Sequence, residues 1–255
     1  MRIPLPAALL TTPLTHRGYH SRMDGRSENT ASAFRAAIAA GYGIELDVQM
    51  SRDGVAMVFH DERLDRLTGA AGLVKDRTAT ELARIKLRDC DDTIPTLPEI
   101  LALIAGRVPL LIEIKDQTDA MAETDGRLEQ ATAAALSAYA GPVAVMSFNP
   151  HSVAHMARLA PTVARGLTTA AYGADWQPLG LATCDSLRGI PDYDRTLASF
   201  ISHEAADLAR SRVTELKALG AAVLCWTIRS PFAEATARTI ADNITFEGYA
   251  ARLTA

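Results

Sequence analysis

From residue 14 to residue 247, short apolar runs rich in β-branched residues alternate with stretches of helical period. No other feature of the chain limits its fold so strongly. Parallel strands cannot be joined by tight turns, so a strand followed by a helix must return through a crossover, and a long series of such units closes most simply into a barrel. Strands are predicted at residues 14–18, 44–50, 55–61, 110–115, 143–148, 163–168, 200–204, 223–228 and 244–247. Helices are predicted at 30–40, with Asn29 as the cap, and at 97–104, 127–139, 150–159, 207–219 and 231–241. Nine strands are one too many for an eight-stranded barrel. The link 51–54 is too short for a crossover helix, so its flanking strands are expected to form a hairpin around Asp53-Gly54 or to leave the barrel irregular there. Residues 62–95 have weak periodicity and clustered charge and read as an inserted excursion. Residues 172–194 are rich in Gly, Pro and Asp and read as a long loop, of the kind that builds the working mouth of a barrel. The expectation is one α/β domain over residues 1–255, a TIM-type (β/α)8 barrel, somewhat irregular, with a small insertion.

A chain of 255 residues with 48% apolar and 22% charged content can bury a core without disulfides or a structural metal. Its net charge of −4 argues against a nucleic-acid partner or a polybasic membrane patch. Cys90, Cys184 and Cys225 are odd in number and spaced unlike any zinc pattern, and are read as free thiols. No apolar run approaches the roughly 18 residues of a membrane span, so no membrane anchor is expected. The short apolar stretch at residues 1–10 is interrupted by two prolines, and cleavage near its end would cut toward His16. A cytoplasmic location is therefore expected.

The segment Ile44-Glu45-Leu46-Asp47-Val48 carries the most chemical information. Alternation along a strand sends Ile44, Leu46 and Val48 to one face and Glu45 and Asp47 to the other. In Leu110-Leu111-Ile112-Glu113-Ile114-Lys115 the same rule sends Glu113 and Lys115 inward. Carboxylates inside a barrel are costly unless paired, hydrogen-bonded or metal-bound. Glu45, Asp47 and Glu113 together form an oxygen set suited to Mg²⁺ or Ca²⁺. A metal-free network with Lys115 and Arg17 is the alternative.

His16 stands at the end of the first strand beside Arg17, and His60 ends the third. Two histidines can supply a general base and a general acid near neutral pH. Arg17 offers a planar fork to phosphate oxygens and Lys115 a point charge. His20, Arg22 and Arg26 follow the first strand and read as solvated loop charges. His151, His155 and His203 lack a ligand pattern and read as surface residues. Phe148 and Trp226 end strands and are candidates for packing against substrate or within the core.

The series His16-Arg17-Gly18, Glu28-Asn29-Thr30, Glu45-Leu46-Asp47-Val48, Asp53-Gly54, His60-Asp61, Pro95-Thr96-Leu97 and Glu113-Ile114-Lys115 resembles the glycerophosphodiester phosphodiesterase family in order and spacing. Ser147-Phe148 and Trp226-Thr227 fall where that family has similar pairs. The resemblance implies a TIM-type barrel related to the phosphoinositide phospholipases C. It implies His16 and His60 as the acid–base pair, and Glu45, Asp47 and Glu113 as ligands of a divalent metal. Arg17 and Lys115 would contact phosphate. Two departures stand out. Ser27 replaces the family's usual proline, and Asn243-Ile244-Thr245-Phe246-Glu247-Gly248 replaces a Gly-rich ending with Thr-Asp.

The implied reaction is hydrolysis of a small glycerophosphodiester to sn-glycerol 3-phosphate and an alcohol. Head group, native metal and oligomeric state are left open. A lysophospholipase D or cyclising lyase on the same barrel is the alternative, and an apolar groove formed by residues 172–194 would favour the lipid reading. A non-catalytic phosphate-ester binder would be expected to lack a histidine or a carboxylate that this chain retains.

Overall fold

A computed structural model describes residues 1–253. Eight parallel strands close into a barrel: β1 (Leu14–Thr15), β2 (Gly43–Met50), β4 (Leu110–Ile114), β5 (Val143–Ser147), β6 (Ala164–Thr169), β7 (Phe200–Glu204), β8 (Ala222–Ile228) and β9 (Asn243–Phe246). β1 pairs with both β2 and β9, which seals the ring. The surplus strand is β3 (Ala56–Val58), antiparallel to β2 through the turn at Asp53-Gly54. It lies outside the barrel, as the short link requires.

Alternation builds the two sides of the wall. Ile44, Leu46, Val48, Leu110, Ile112 and Ile114 pack outward with Phe34 and Ala37 of α2 (Ala31–Ala40) and Leu97 and Ile100 of α4 (Leu97–Ile104). Inside, the amino end of the barrel is filled by Leu14, Leu111, Ala144, Ala164, Phe200 and Leu224, with Leu5 and with Leu9 of α1 (Ala7–Thr11) packed against them. Gly166 makes room for the Phe200 ring, since a Cβ there would lie 2.4 Å from it. The charged inward residues Glu45, Asp47 and Glu113 lie further along their strands than this layer. The apolar floor therefore leaves the carboxyl end as the polar end.

Several local expectations are corrected. The cap of α2 is Thr30, whose side chain accepts from Ala33 N–H, while Asn29 turns into the barrel. Residues 172–194 are not all loop: they contain α7 (Leu181–Arg188), between the glycines Gly180 and Gly189 that obscure its short period. The helix expected at 207–219 is α8 (Ser211–Ala218), preceded by a separate 3₁₀ turn at Ala205–Asp207. His203 is fully buried, not a surface residue, because β7 carries it beneath the outer layer, where it bonds Thr169 (2.7 Å) and Asp207 (3.2 Å). Between β3 and α4 the excursion has its own small core of Phe59, Leu64, Leu67, Leu82 and Ile94, packed against Met57 of β3. Cys90, Cys184 and Cys225 are free. No helix among the described residues is long and apolar enough to cross a membrane.

Candidate active site

Glu45 and Asp47 from β2 and Glu113 from β4 are buried, and one oxygen from each lies within 4.8 Å of the other two. The β2–β4 register sets Asp47 beside Glu113, so the convergence follows from strand pairing. No other group of three His, Cys, Asp or Glu side chains converges in this way among the described residues.

Two residues in the left-handed region hold this cluster, Arg17 (φ 55°) and Asn29 (φ 56°). The Arg17 N–H donates to Glu45 Oε2 at 2.9 Å, and Asn29 Nδ2 donates to Asp47 Oδ2 at 2.9 Å. Such conformations cost about 1–3 kcal/mol and gather where function over-determines the backbone. Lys115 Nζ stands 2.7 Å from Glu113 and 3.3 Å from Asp47. Arg17 donates from Nη1 to Glu28 at 2.7 Å, while its buried Nε, 3.5 Å from Asp47, has no hydrogen-bond partner.

The cations are distributed unevenly over the three carboxylates. Burial opposes ionisation of Asp47, yet Lys115, His60 and Arg17, with the Asn29 bond, hold it well below the ordinary aspartate range. Glu45 has no side-chain cation of its own. Burial, then the charges of Asp47 and Glu113, push it well above the usual range. An oxygen-only trio with one carboxylate lacking a counter-charge fits a hard divalent cation. The unpartnered Arg17 Nε fits an oxyanion beside it.

Each histidine is backed by a carboxylate. His16 Nδ1 lies 2.6 Å from Glu247 and His60 Nδ1 lies 2.7 Å from Asp61. A carboxylate accepts, so Nδ1 carries the hydrogen and Nε2 remains to exchange a proton. Burial lowers the pKa of His16, partly offset by its bond to Glu247. The bond from His16 and the nearby His20 hold Glu247 well below the usual range, and Arg229 donates to it at 2.8 Å. Although half-buried, Asp61 is held low by His60 and Arg66.

Arg66, from the excursion, spans two of these carboxylates. It donates to Asp61 at 2.6 and 2.9 Å and to Glu28 at 2.9 and 2.7 Å. Against the cost of burial, Arg66 and Arg17 bring Glu28 down to about 2. One guanidinium thus ties the carboxylate behind His60 to the one behind Arg17.

His16, Arg17, Glu45, Asp47, His60, Glu113, Lys115, Phe148 and Trp226 all line one cavity of about 160 Å³. All nine candidate residues are brought together. His20 reaches the site's edge, 3.6 Å from Glu247, whereas Arg26 bonds Asp24 on the exposed loop. His151 and His155 sit partly exposed on α6 (Pro150–Leu159). Glu28, Asn29, Asp61, Arg66 and Glu247 were given no role at the site by the sequence. Asp61 and Glu28 stood inside recognised motifs, which was a signal, and Glu247 stood in the departing C-terminal motif. Nothing pointed to Arg66.

The sequence profile described as the glycerophosphoryl diester phosphodiesterase family matches residues 16–246. A glycerophosphodiester phosphodiesterase from Caldanaerobacter subterraneus subsp. tengcongensis is 35% identical over 166 residues, covering 62% of this chain and 66% of that protein. One from Bacillus altitudinis is 40% identical over 116 residues, covering 42% of this chain and 45% of that protein. The matched segments thus span less than two thirds of these relatives' own lengths. An Oleispira antarctica phosphodiesterase, solved in complex with the product sn-glycerol-3-phosphate, superposes with a TM-score of 0.77 at 23% identity over 94% of each chain. A glycerophosphodiester phosphodiesterase from Parabacteroides distasonis gives 0.73 at 21% identity over 92% of each. At these identities the structural likeness establishes the TIM-barrel fold.

Proposed function

The chain belongs to the glycerophosphoryl diester phosphodiesterase family, and on that premise we propose that it hydrolyses glycerophosphodiesters to sn-glycerol 3-phosphate and an alcohol. The observation that carries this is the pairing of two carboxylate-backed histidines with a buried acidic trio, Arg17 and Lys115 in one cavity. The product bound by the Oleispira antarctica protein supports the same chemistry.

Glu45, Asp47 and Glu113 would hold the divalent cation, Mg²⁺ or Ca²⁺, which when bound supplies positive charge to the phosphoryl oxygens. Arg17 Nε and Lys115 Nζ orient those oxygens and share their charge. His16, kept neutral by burial, is the general base: its Nε2 takes the proton from water, or from the neighbouring glycerol hydroxyl, as the new P–O bond forms. His60 is the general acid: its Nε2–H goes to the leaving alkoxide as the old P–O bond breaks. Glu247 and Asp61 fix each ring's tautomer and stabilise its charged form. A coupled assay for sn-glycerol 3-phosphate across several diesters tests the reading, and release of glycerol with a phosphorylated alcohol would reject it.

Two further results are expected. Arg66→Met should lower kcat about tenfold with little change in KM, because Asp61 and Glu28 lose the group that aligns them. Arg66→Lys should recover only part, since an ammonium cannot fork two carboxylates. Steady-state kinetics at fixed metal checks this, and an unchanged kcat would assign Arg66 to the surface alone. Affinity for Mg²⁺ or Ca²⁺ should rise with pH, since the cation displaces a proton from Glu45. Calorimetry in two buffers of different ionisation enthalpy reads that proton, and pH-independent binding would contradict it.

One observation favours a second reading. Residues 172–194 place Trp176, Pro178 and Leu179 on a larger cavity beside the site, so a lysophospholipid chain has an apolar surface to lie on.

A further inference from the structure

Beyond the nine candidate residues, the cavity of about 160 Å³ is lined by Met146, Thr227, Arg229 and Thr245. It shares His60, Glu113, Lys115, Phe148 and Trp226 with the larger outer cavity. In the proposed hydrolysis the alcohol leaves on that side, with His60 as the acid, so the three-carbon unit is held on the other. Thr245 lines the inner cavity alone.

Strand pairing places Thr245. Ile244 and Phe246 turn outward into the helix-side core, so Thr245 between them turns inward. Its register partner is Leu14, a member of the apolar floor. The Thr245 hydroxyl therefore lies at the base of the cavity, on a residue that is 1% exposed. Two buried side-chain atoms of the cavity's lining have no hydrogen-bond partner among the described residues, Arg17 Nε and Thr245 Oγ1. They suit different parts of a bound ligand. An N–H donor suits an oxyanion, as argued for Arg17. A hydroxyl both donates and accepts, so it suits another hydroxyl. Val has the shape of Thr and would leave nothing unpaired in β9, so an unpartnered Thr here is a cost to the empty fold. Thr245 stands in the C-terminal motif that departs from the family's pattern, so the resemblance gave it no role.

We propose that Thr245 is a specificity-determining residue whose hydroxyl holds the terminal hydroxyl of the glycerol unit, the one furthest from phosphorus. This deepens the proposed hydrolysis and rests on it. The secondary hydroxyl stays beside the phosphate and His16, whereas the terminal one extends to the base. A unit lacking the terminal hydroxyl would bury Thr245 Oγ1 against a methyl group, unpaired. A unit acylated there loses its donor hydrogen, and its chain would have to pass through a base that Leu14, Leu111 and Phe200 fill.

The test compares kcat/KM, read as choline released, for glycerophosphocholine and for its 1-deoxy analogue, in which a methyl group replaces the terminal CH2OH. A preference on the order of 10²-fold for the intact glycerol is expected, because the analogue leaves a buried hydroxyl unpaired. Thr245→Val should bring that ratio toward one, and Thr245→Ser, which keeps the hydroxyl, should preserve most of it. Without ligand, Thr245→Val should melt no lower than the native protein, because the fold gives that hydroxyl nothing to bond. A native ratio near one, an unchanged ratio in Thr245→Val, or a lower melting temperature for that variant overturns the proposal. So does 1-acyl lysophosphatidylcholine turned over as fast as glycerophosphocholine. If neither diester releases choline, the proposed hydrolysis itself has failed, and binding decides the role of Thr245. Calorimetric titration of the Mg²⁺-loaded protein with sn-glycerol 3-phosphate and with propane-1,2-diol 1-phosphate should then show tighter binding of the first, with the difference lost in Thr245→Val. Equal binding of the two overturns the assignment.

Discussion

Stripping divalent metal from the protein is expected to abolish turnover, and Glu45→Gln is expected to lower kcat/KM by about 10³-fold even in excess Mg²⁺ or Ca²⁺. Gln has nearly the shape of Glu and can still accept from the Arg17 N–H, so the loss would isolate the charge. Glu45 is the informative member of the trio, because Asp47 and Glu113 already have Lys115 beside them. The same substitution should act in the opposite direction on the metal-free fold. It removes a carboxyl that burial, then the charges of Asp47 and Glu113, push well above its ordinary pKa, so the metal-free variant should melt at a higher temperature than the native metal-free protein. Melting curves with and without metal, beside kinetics, separate a ligand from a structural acid. Full activity in excess chelator after metal removal would refute the metal's role.

His16→Ala and His60→Ala are each expected to lower kcat by on the order of 10²–10⁴, the usual contribution of positioned proton transfer. Metal affinity should largely survive, because the three carboxylates remain. The two variants should differ with leaving group. A p-nitrophenyl diester needs little protonation, so it should rescue His60→Ala far more than His16→Ala. The native rate should rise with pH as His16 loses its proton. Because burial lowers the pKa of His16, the rising limb should lie below the ordinary histidine value of about 6.5. Glu247→Gln removes the carboxylate that raises it, so that limb should move further to acid. Rescue of His16→Ala instead would reverse the two assignments, and near-native rates in both variants on a poor leaving group would remove histidine catalysis from the account.

Much of this site could be read before any coordinates because its framework is local. Alternation along β2 and β4 needs only a few consecutive residues to send Glu45, Asp47 and Glu113 to one side. The short link at Asp53-Gly54 likewise left a hairpin or an irregular barrel as the two outcomes, and the structure has the hairpin, with β3 as the surplus strand. What was missed depends on closure. Glu247 meets His16 only because β9 pairs with β1 across the whole chain. Arg66 reaches Glu28 and Asp61 only because the excursion folds back on its own core. Asn29 was expected to cap α2, but the left-handed turn at Arg17 and Asn29 gave it to Asp47 while Thr30 took the cap. The outer cavity was the least legible part, since Trp176, Phe148 and Trp226 come from three separate segments.

The most direct test of the central claim is phosphorus NMR of glycerophosphocholine turned over in ¹⁸O-water with Mg²⁺ or Ca²⁺, beside a sample held in chelator. The account expects sn-glycerol 3-phosphate carrying one solvent oxygen, with no reaction in the chelated sample. Accumulation of choline phosphate, or of a persistent cyclic phosphate, or equal turnover in chelator, would contradict it.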